Sequence, residues 1–109
     1  MNEFCEIHWS SGSIDEARKI SRYLAQERLI AGAQIIPWVE TIYMWNNQLE
    51  TVQESKIILK APKVNCKRIE EIIKENSSYQ IPEILYFNIE GGSEDYLVWA
   101  KESTPQRSL

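Results

Sequence analysis

One histidine, two cysteines and four glycines among 109 residues leave few of the side chains on which cofactor and catalytic motifs depend. Gly91-Gly92 stand together, but no glycine pattern of a phosphate loop or dinucleotide fingerprint surrounds them. With His8 as the sole imidazole, and no Ser or Cys in an elbow or oxyanion motif, a nucleophile activated by a base is not expected. Cys5 and Cys66 show no metal-site or redox spacing, and read as small buried hydrophobes with reduced thiols. That reading points to the cytoplasm. No apolar run approaches the ~20 residues that a membrane helix needs. The opening Met1-Asn2-Glu3-Phe4-Cys5-Glu6 lacks the basic region of a signal peptide. A basic stripe is missing too: 12 basic residues are interleaved with 16 acidic ones, for a net charge of -4. Nucleic acid is therefore not an expected partner, because phosphate recognition needs clustered cations.

What is present describes one ordinary globular domain, 43% apolar and 26% charged. We assign residues 1–109 to a single domain, with a core over about 4–101 and a frayed tail over 103–109. Phe4 to Trp9 reads as a first strand. Ser13-Ile14-Asp15-Glu16 has the form of a capping box, in which the Glu16 carboxylate reaches back to the cap. Ile14, Ala17, Ile20 and Leu24 then follow at helical spacing, predicting a helix over 14–28. Pro62 leads into a second helix over 64–76, with Ile69, Ile72 and Ile73 inward. A strand over 83–89 follows, and Ser93 caps a short last helix in which Tyr96 and Trp99 are expected to pack.

The segment between the two main helices departs from simple patterning. From Ala33 to Trp45 both strand faces are apolar, with Ile36, Trp38, Ile42 and Met44 on one and Ile35, Val39, Tyr43 and Trp45 on the other. An antiparallel strand with one wet face would alternate instead. Pro37 suits an edge strand or a bulge. Asn46-Asn47 suits a tight turn, since Asn tolerates positive φ. The return strand, over 49–60, is about twice the usual length. Such a hairpin outreaches two short helices, so Trp38, Tyr43 and Trp45 are expected to meet another subunit. The alternative is that they pack beneath the chain's own helices.

The element order is β-α-β-β-α-β plus a C-terminal helix, an α+β ferredoxin-like plan with strands one and three central and both helices on one face. Several strings also resemble the CutA family of divalent-cation tolerance proteins. They are Leu29-Ile30-Ala31-Gly32-Ala33 leading to Ile36-Pro37, Ile42-Tyr43-Met44-Trp45, Glu54 followed by Ile58-Leu59-Lys60, Tyr79-Gln80-Ile81-Pro82-Glu83-Ile84, and Asp95-Tyr96-Leu97-Val98-Trp99. They span about residues 4–101, in order. The resemblance implies a homotrimer whose hairpins pair across subunits, a non-enzymatic role, and a link to copper or other divalent metals. It also implies copper ligands at or beside Trp9, Gly32 and Ser77-Ser78, where this chain carries no thiol or imidazole. No cofactor is certain on that basis. Copper is possible only by resemblance, the usual soft ligands being absent.

Cys5 and His8 should lie on opposite strand faces, whereas Glu6 and His8 share one, making two donors at most. The topology is expected to gather Trp9, Gln34, Lys60 and Glu83 at one sheet edge, with Tyr79 on the adjoining loop. That cleft between subunits would suit a small anion or polar ligand, or hold only a rim salt bridge. Trp45 and Glu54 are expected at the subunit contact. Three functions fit: a trimeric metal-tolerance protein, a small-ligand sensor of the PII-like kind, or a structural docking trimer.

Overall fold

The structure, a computed structural model, describes residues 3–106. In chain order it contains β1 (Phe4–Ser11), α1 (Ile14–Gln26), β2 (Gly32–Trp45), β3 (Gln48–Pro62), α2 (Cys66–Asn76), β4 (Ile84–Asn88) and α3 (Glu94–Ser103), with a 3-10 turn at Lys63–Asn65 before α2. The four strands form one antiparallel sheet in the order β2-β3-β1-β4. That is the expected ferredoxin-like arrangement, with strands one and three in the middle.

Local chemistry explains the boundaries. The Ser13 hydroxyl accepts from the Glu16 amide at 3.2 Å and starts α1. The reciprocal half of the expected capping box does not form. The Glu16 carboxylate instead accepts from the Ser11 hydroxyl at 2.8 Å and the Ser78 amide at 3.0 Å, tying α1 to the 77–83 loop. α1 stops short of the expected residue 28 because Arg28 turns left-handed, at φ 61°. Asn46 and Asn47, at φ 52° and 64°, make the tight turn between β2 and β3.

Both main helices cover one face of the sheet. Cys5, Ile7 and Trp9 of β1 and Ile57, Leu59 and Ala61 of β3 meet Ala17, Ile20 and Leu24 of α1 and Ile69, Ile72 and Ile73 of α2. Burying each large aliphatic there stabilises the fold by roughly 1.5–3 kcal/mol. The other face of the sheet has no helix over it. It presents Glu6 and His8, paired by register with Lys60, Ile58, Phe87 and Leu85.

Cys5 and Cys66 are buried, as expected of small hydrophobes, and their sulfurs meet between β1 and the start of α2, with Cα atoms 7.9 Å apart, wider than a disulfide spans. Two expectations are corrected. First, the C-terminal segment is anchored beyond residue 103, where fraying was expected. Thr104 is buried, and its hydroxyl donates to the Ala100 carbonyl at 2.8 Å. Residues 107–109 of that expected tail lie outside the described residues. Secondly, the face assignment of β2 changes at a bulge. Ile36 pairs with Lys56, but Val39 pairs with Glu54, so β2 spends one residue more than β3. Pro37 has no amide to give the ladder, and Trp38 sits at φ 63°. Ile36 therefore shares a face with Val39, Tyr43 and Trp45, while Ile35 shares one with Ile42 and Met44.

Beyond the bulge the hairpin leaves the helices behind. Trp38 is 71% exposed and Leu49 70%, and Ile42, Met44 and Trp45 are open as well. The alternative of packing under the chain's own helices is thereby excluded. The radius of gyration, 14.8 Å, exceeds the ~13 Å of a compact chain of this size, and the long axis reaches 46 Å.

Candidate functional site

Where the hairpin passes the end of β1, a cavity of about 510 Å³ opens between it and the 77–83 loop. β2 supplies Thr41, Tyr43 and Trp45, β3 supplies Glu50 and Glu54, and Ser10 of β1 forms the floor. The loop closes it with Tyr79, Gln80, Ile81 and Glu83. The hairpin register places Tyr43 opposite Glu50 and Val39 opposite Glu54, which brings the aromatic and acidic side chains to one face.

The loop is held at several points. The Ser77 hydroxyl accepts from the Tyr79 amide at 3.1 Å, and the Ser10 hydroxyl donates to Glu83 at 3.2 Å. Tyr79 crosses directly over Gly12: a Cβ there would lie 2.8 Å from the phenol oxygen, so the position needs glycine. The Tyr79 hydroxyl donates to Glu54 Oε2 at 2.5 Å. Burial, with the Glu54 carboxylate next in importance, pushes the Tyr79 phenol well above the usual range and keeps it a donor. Glu54 is 7% exposed, and no Lys, Arg or His lines the cavity.

The structure divides the expected cleft of Trp9, Gln34, Lys60, Glu83 and Tyr79. β3 runs antiparallel to β1, so its middle, at Ser55, and not its end, meets the end of β1. Tyr79 and Glu83 join the cavity. Lys60 lies opposite Glu6, four residues back along β1 from Ser10, or about 13 Å at strand spacing. There Lys60 donates to Gln34 at 3.3 Å and pairs with Glu6 at 3.5 Å. Trp9 points to the opposite face, fully buried, and its indole N–H has no hydrogen-bond partner among the described residues. Of the residues expected at a subunit contact, Tyr43, Trp45 and Glu54 line the cavity, while Trp38 stands outside it. Thr41, Glu50 and Ser10 were not anticipated. A two-residue turn at Asn46-Asn47 already implies the Tyr43–Glu50 pairing, so that signal was present in the sequence.

Donors for a soft metal are scattered. The two sulfurs are buried against each other in the core. His8 Nε2 lies 2.9 Å from Glu6 Oε1 on the opposite face, with its ring 4.4 Å from that of Phe87. The His8 contact, foremost, and Lys60 hold the Glu6 carboxyl below the usual range. Among the described residues, no three His, Cys, Asp or Glu side chains are grouped to hold a metal ion. The places where resemblance implies copper ligands carry an indole, a glycine and two serines, which do not fit that role.

A small antiparallel sheet with helices on one face, an overlong hairpin and an acidic, aromatic cavity at its base define an α+β protein of ferredoxin-like architecture. Comparison with known proteins narrows that class. The chain belongs to the family described as CutA1 divalent ion tolerance protein, which it matches over residues 5–103. It is 33% identical over 92 residues to the divalent-cation tolerance protein CutA of Thermus thermophilus, covering 84% of this chain and 89% of that one. It is 31% identical over 90 residues to the chloroplastic protein CutA of Arabidopsis thaliana, covering 83% of this chain and 50% of that one. The chain thus spans about half the length of that plant relative and, at 51%, of a rice one. Among solved structures, CutA1 of the psychrotrophic bacterium Shewanella sp. SIB1 superposes with a TM-score of 0.92 at 30% identity, covering 95% of this chain and 97% of that one.

Proposed function

We propose that this protein is a non-enzymatic homotrimer serving divalent-cation tolerance, copper included, without holding copper at a preformed site in the protomer. The carrying observation is the exposed hairpin together with the helix-free face of the sheet. Tyr43, Trp45, Leu85 and Phe87 are large, apolar and open, and sister chains would cover them. The relatives' names supply the tolerance role, and the scattered thiol and imidazole donors argue for an indirect one. The experiment has two arms. Sedimentation should give three copies, and copper titration calorimetry should give no saturable heat at micromolar concentration. A monomer at high dilution would overturn the assembly. Micromolar heat that disappears in His8→Ala would overturn the indirect role. The cavity favours a second reading, a PII-like trimer that senses a small ligand.

A further inference from the structure

We propose that assembly of this chain is acid-sensitive, with His8 as the group that takes up the proton. The inference rests on the proposed trimer, because it needs sister chains to cover the helix-free face of the sheet.

On that face Glu6, His8 and Lys60 form a row of polar contacts across β1 and β3. His8 Nε2 lies 2.9 Å from Glu6 Oε1, and the Lys60 ammonium reaches Glu6 Oε2 at 3.5 Å. Lys60 also donates to Gln34 at 3.3 Å. The His8 ring rests on Phe87, with centroids 4.4 Å apart. Only 20% of the His8 side chain is exposed even in the single protomer.

The charges around His8 set the direction. With a neutral imidazole, the Glu6 carboxylate and the Lys60 ammonium cancel. A protonated His8 must share that one carboxylate with Lys60, which leaves a positive charge in excess in each protomer. Lys56, diagonal to His8 across Ile58 on the same face of β3, adds a further cation. β4 places Leu85 and Phe87 beside His8 and Glu6, and neither carries charge. The acids towards the hairpin are engaged elsewhere: Glu83 accepts from Ser10, and Glu54 from Tyr79.

In separate chains the excess charge is solvated and costs little. Beneath sister chains it loses water, and a closed symmetric assembly repeats it in every copy. Separate chains therefore bind the proton more readily than the assembly does, and acid favours dissociation. Imidazoles in solvent titrate near about pH 6.5. With one proton taken up per departing protomer, the association constant for three chains falls by up to about a thousandfold per pH unit below that range. Glu6 stays ionised there, because the His8 contact, foremost, and Lys60 hold its carboxyl below the usual range.

The test is sedimentation of the full chain at high dilution, from about pH 8 to about pH 5, with melting temperature followed in parallel. Mass should fall from three copies towards one, and melting temperature with it, while the far-ultraviolet spectrum is unchanged. His8→Gln, uncharged throughout and still able to donate to Glu6, should hold both mass and melting temperature. Lys60→Gln leaves Glu6 to His8 alone and should shrink the acid step, which keeps the test alive should His8→Gln misassemble. Three copies at both ends, with melting that tracks His8→Gln, would overturn the proposal and leave the trimer standing. An acid step of full size in His8→Gln, or one accompanied by loss of the far-ultraviolet spectrum, would overturn it too. A single copy at every pH would overturn the trimer and this inference together.

Discussion

The two ends of the sheet use similar residues under opposite conditions. At the base, Ile7, Trp9, Ile57 and Leu59 are fully buried beneath α1 and α2. At the tip, Trp38, Ile42, Met44 and Leu49 stand open on a ladder that is equally regular apart from one bulge. Hydrophobicity therefore does not tell the two apart; cover does. The base stabilises the protomer, whereas the tip has surface to offer outward. Changes at the base should be read in unfolding, and changes at the tip in assembly and binding.

The largest effect is expected from Trp9→Ala, which should destabilise the fold by about 3–5 kcal/mol, measured by denaturant unfolding. Next is Tyr43→Asp. It should weaken association by on the order of 3 kcal/mol, reducing the sedimenting mass while leaving the far-ultraviolet spectrum unchanged. Unaltered mass would break the division between base and tip. Tyr79→Phe leaves Glu54 buried without its donor and should cost about 1.5 kcal/mol of stability, since the cavity straddles both regions. Trp38→Gly should sharpen the contrast further. Relief of the left-handed backbone would raise or preserve protomer stability by less than about 1 kcal/mol, while assembly weakens. The smallest effect concerns Tyr86, which donates to Glu70 and whose phenol is pushed up to about 12, chiefly by burial and then by Glu70. A folded-state pKa raised above the unfolded value of about 10 favours the protonated native form. Its contribution is fully present below pH 10 and is lost as pH rises towards 12. Tyr86→Phe should flatten melting temperature over that window.

Much of this architecture is legible in the residues. Ser13, the 3.6-residue spacing of Ile20 and Leu24, Asn46-Asn47 and Ser93 each state a local preference that the fold obeys. Strand order followed from connection rules, and the exposure of the hairpin from its length. Pairing directions were harder. The five-residue cleft failed because an antiparallel β3 returns to the opposite end of β1, and sequence proximity gives no hint of that. The contact between Cys5 and Cys66 escaped notice because a separation of 61 positions brings no spacing signal. The faces of β2 were misassigned because Pro37 announced a bulge without saying how many residues it would absorb.

The bulge has a consequence for how this hairpin tolerates change in length. One additional residue rotates the rest of β2 by half a turn about its own axis relative to an unbroken strand. Deleting Pro37 or Trp38 would scarcely alter the greasiness of the ribbon. It would also leave Ile36 opposite Lys56 and Val39 opposite Glu54, now across a regular ladder, with Tyr43 still facing Glu50. The hairpin thus carries one residue of slack at its base, and a single-codon deletion there would straighten and untwist the ribbon while every cross-strand pair remained.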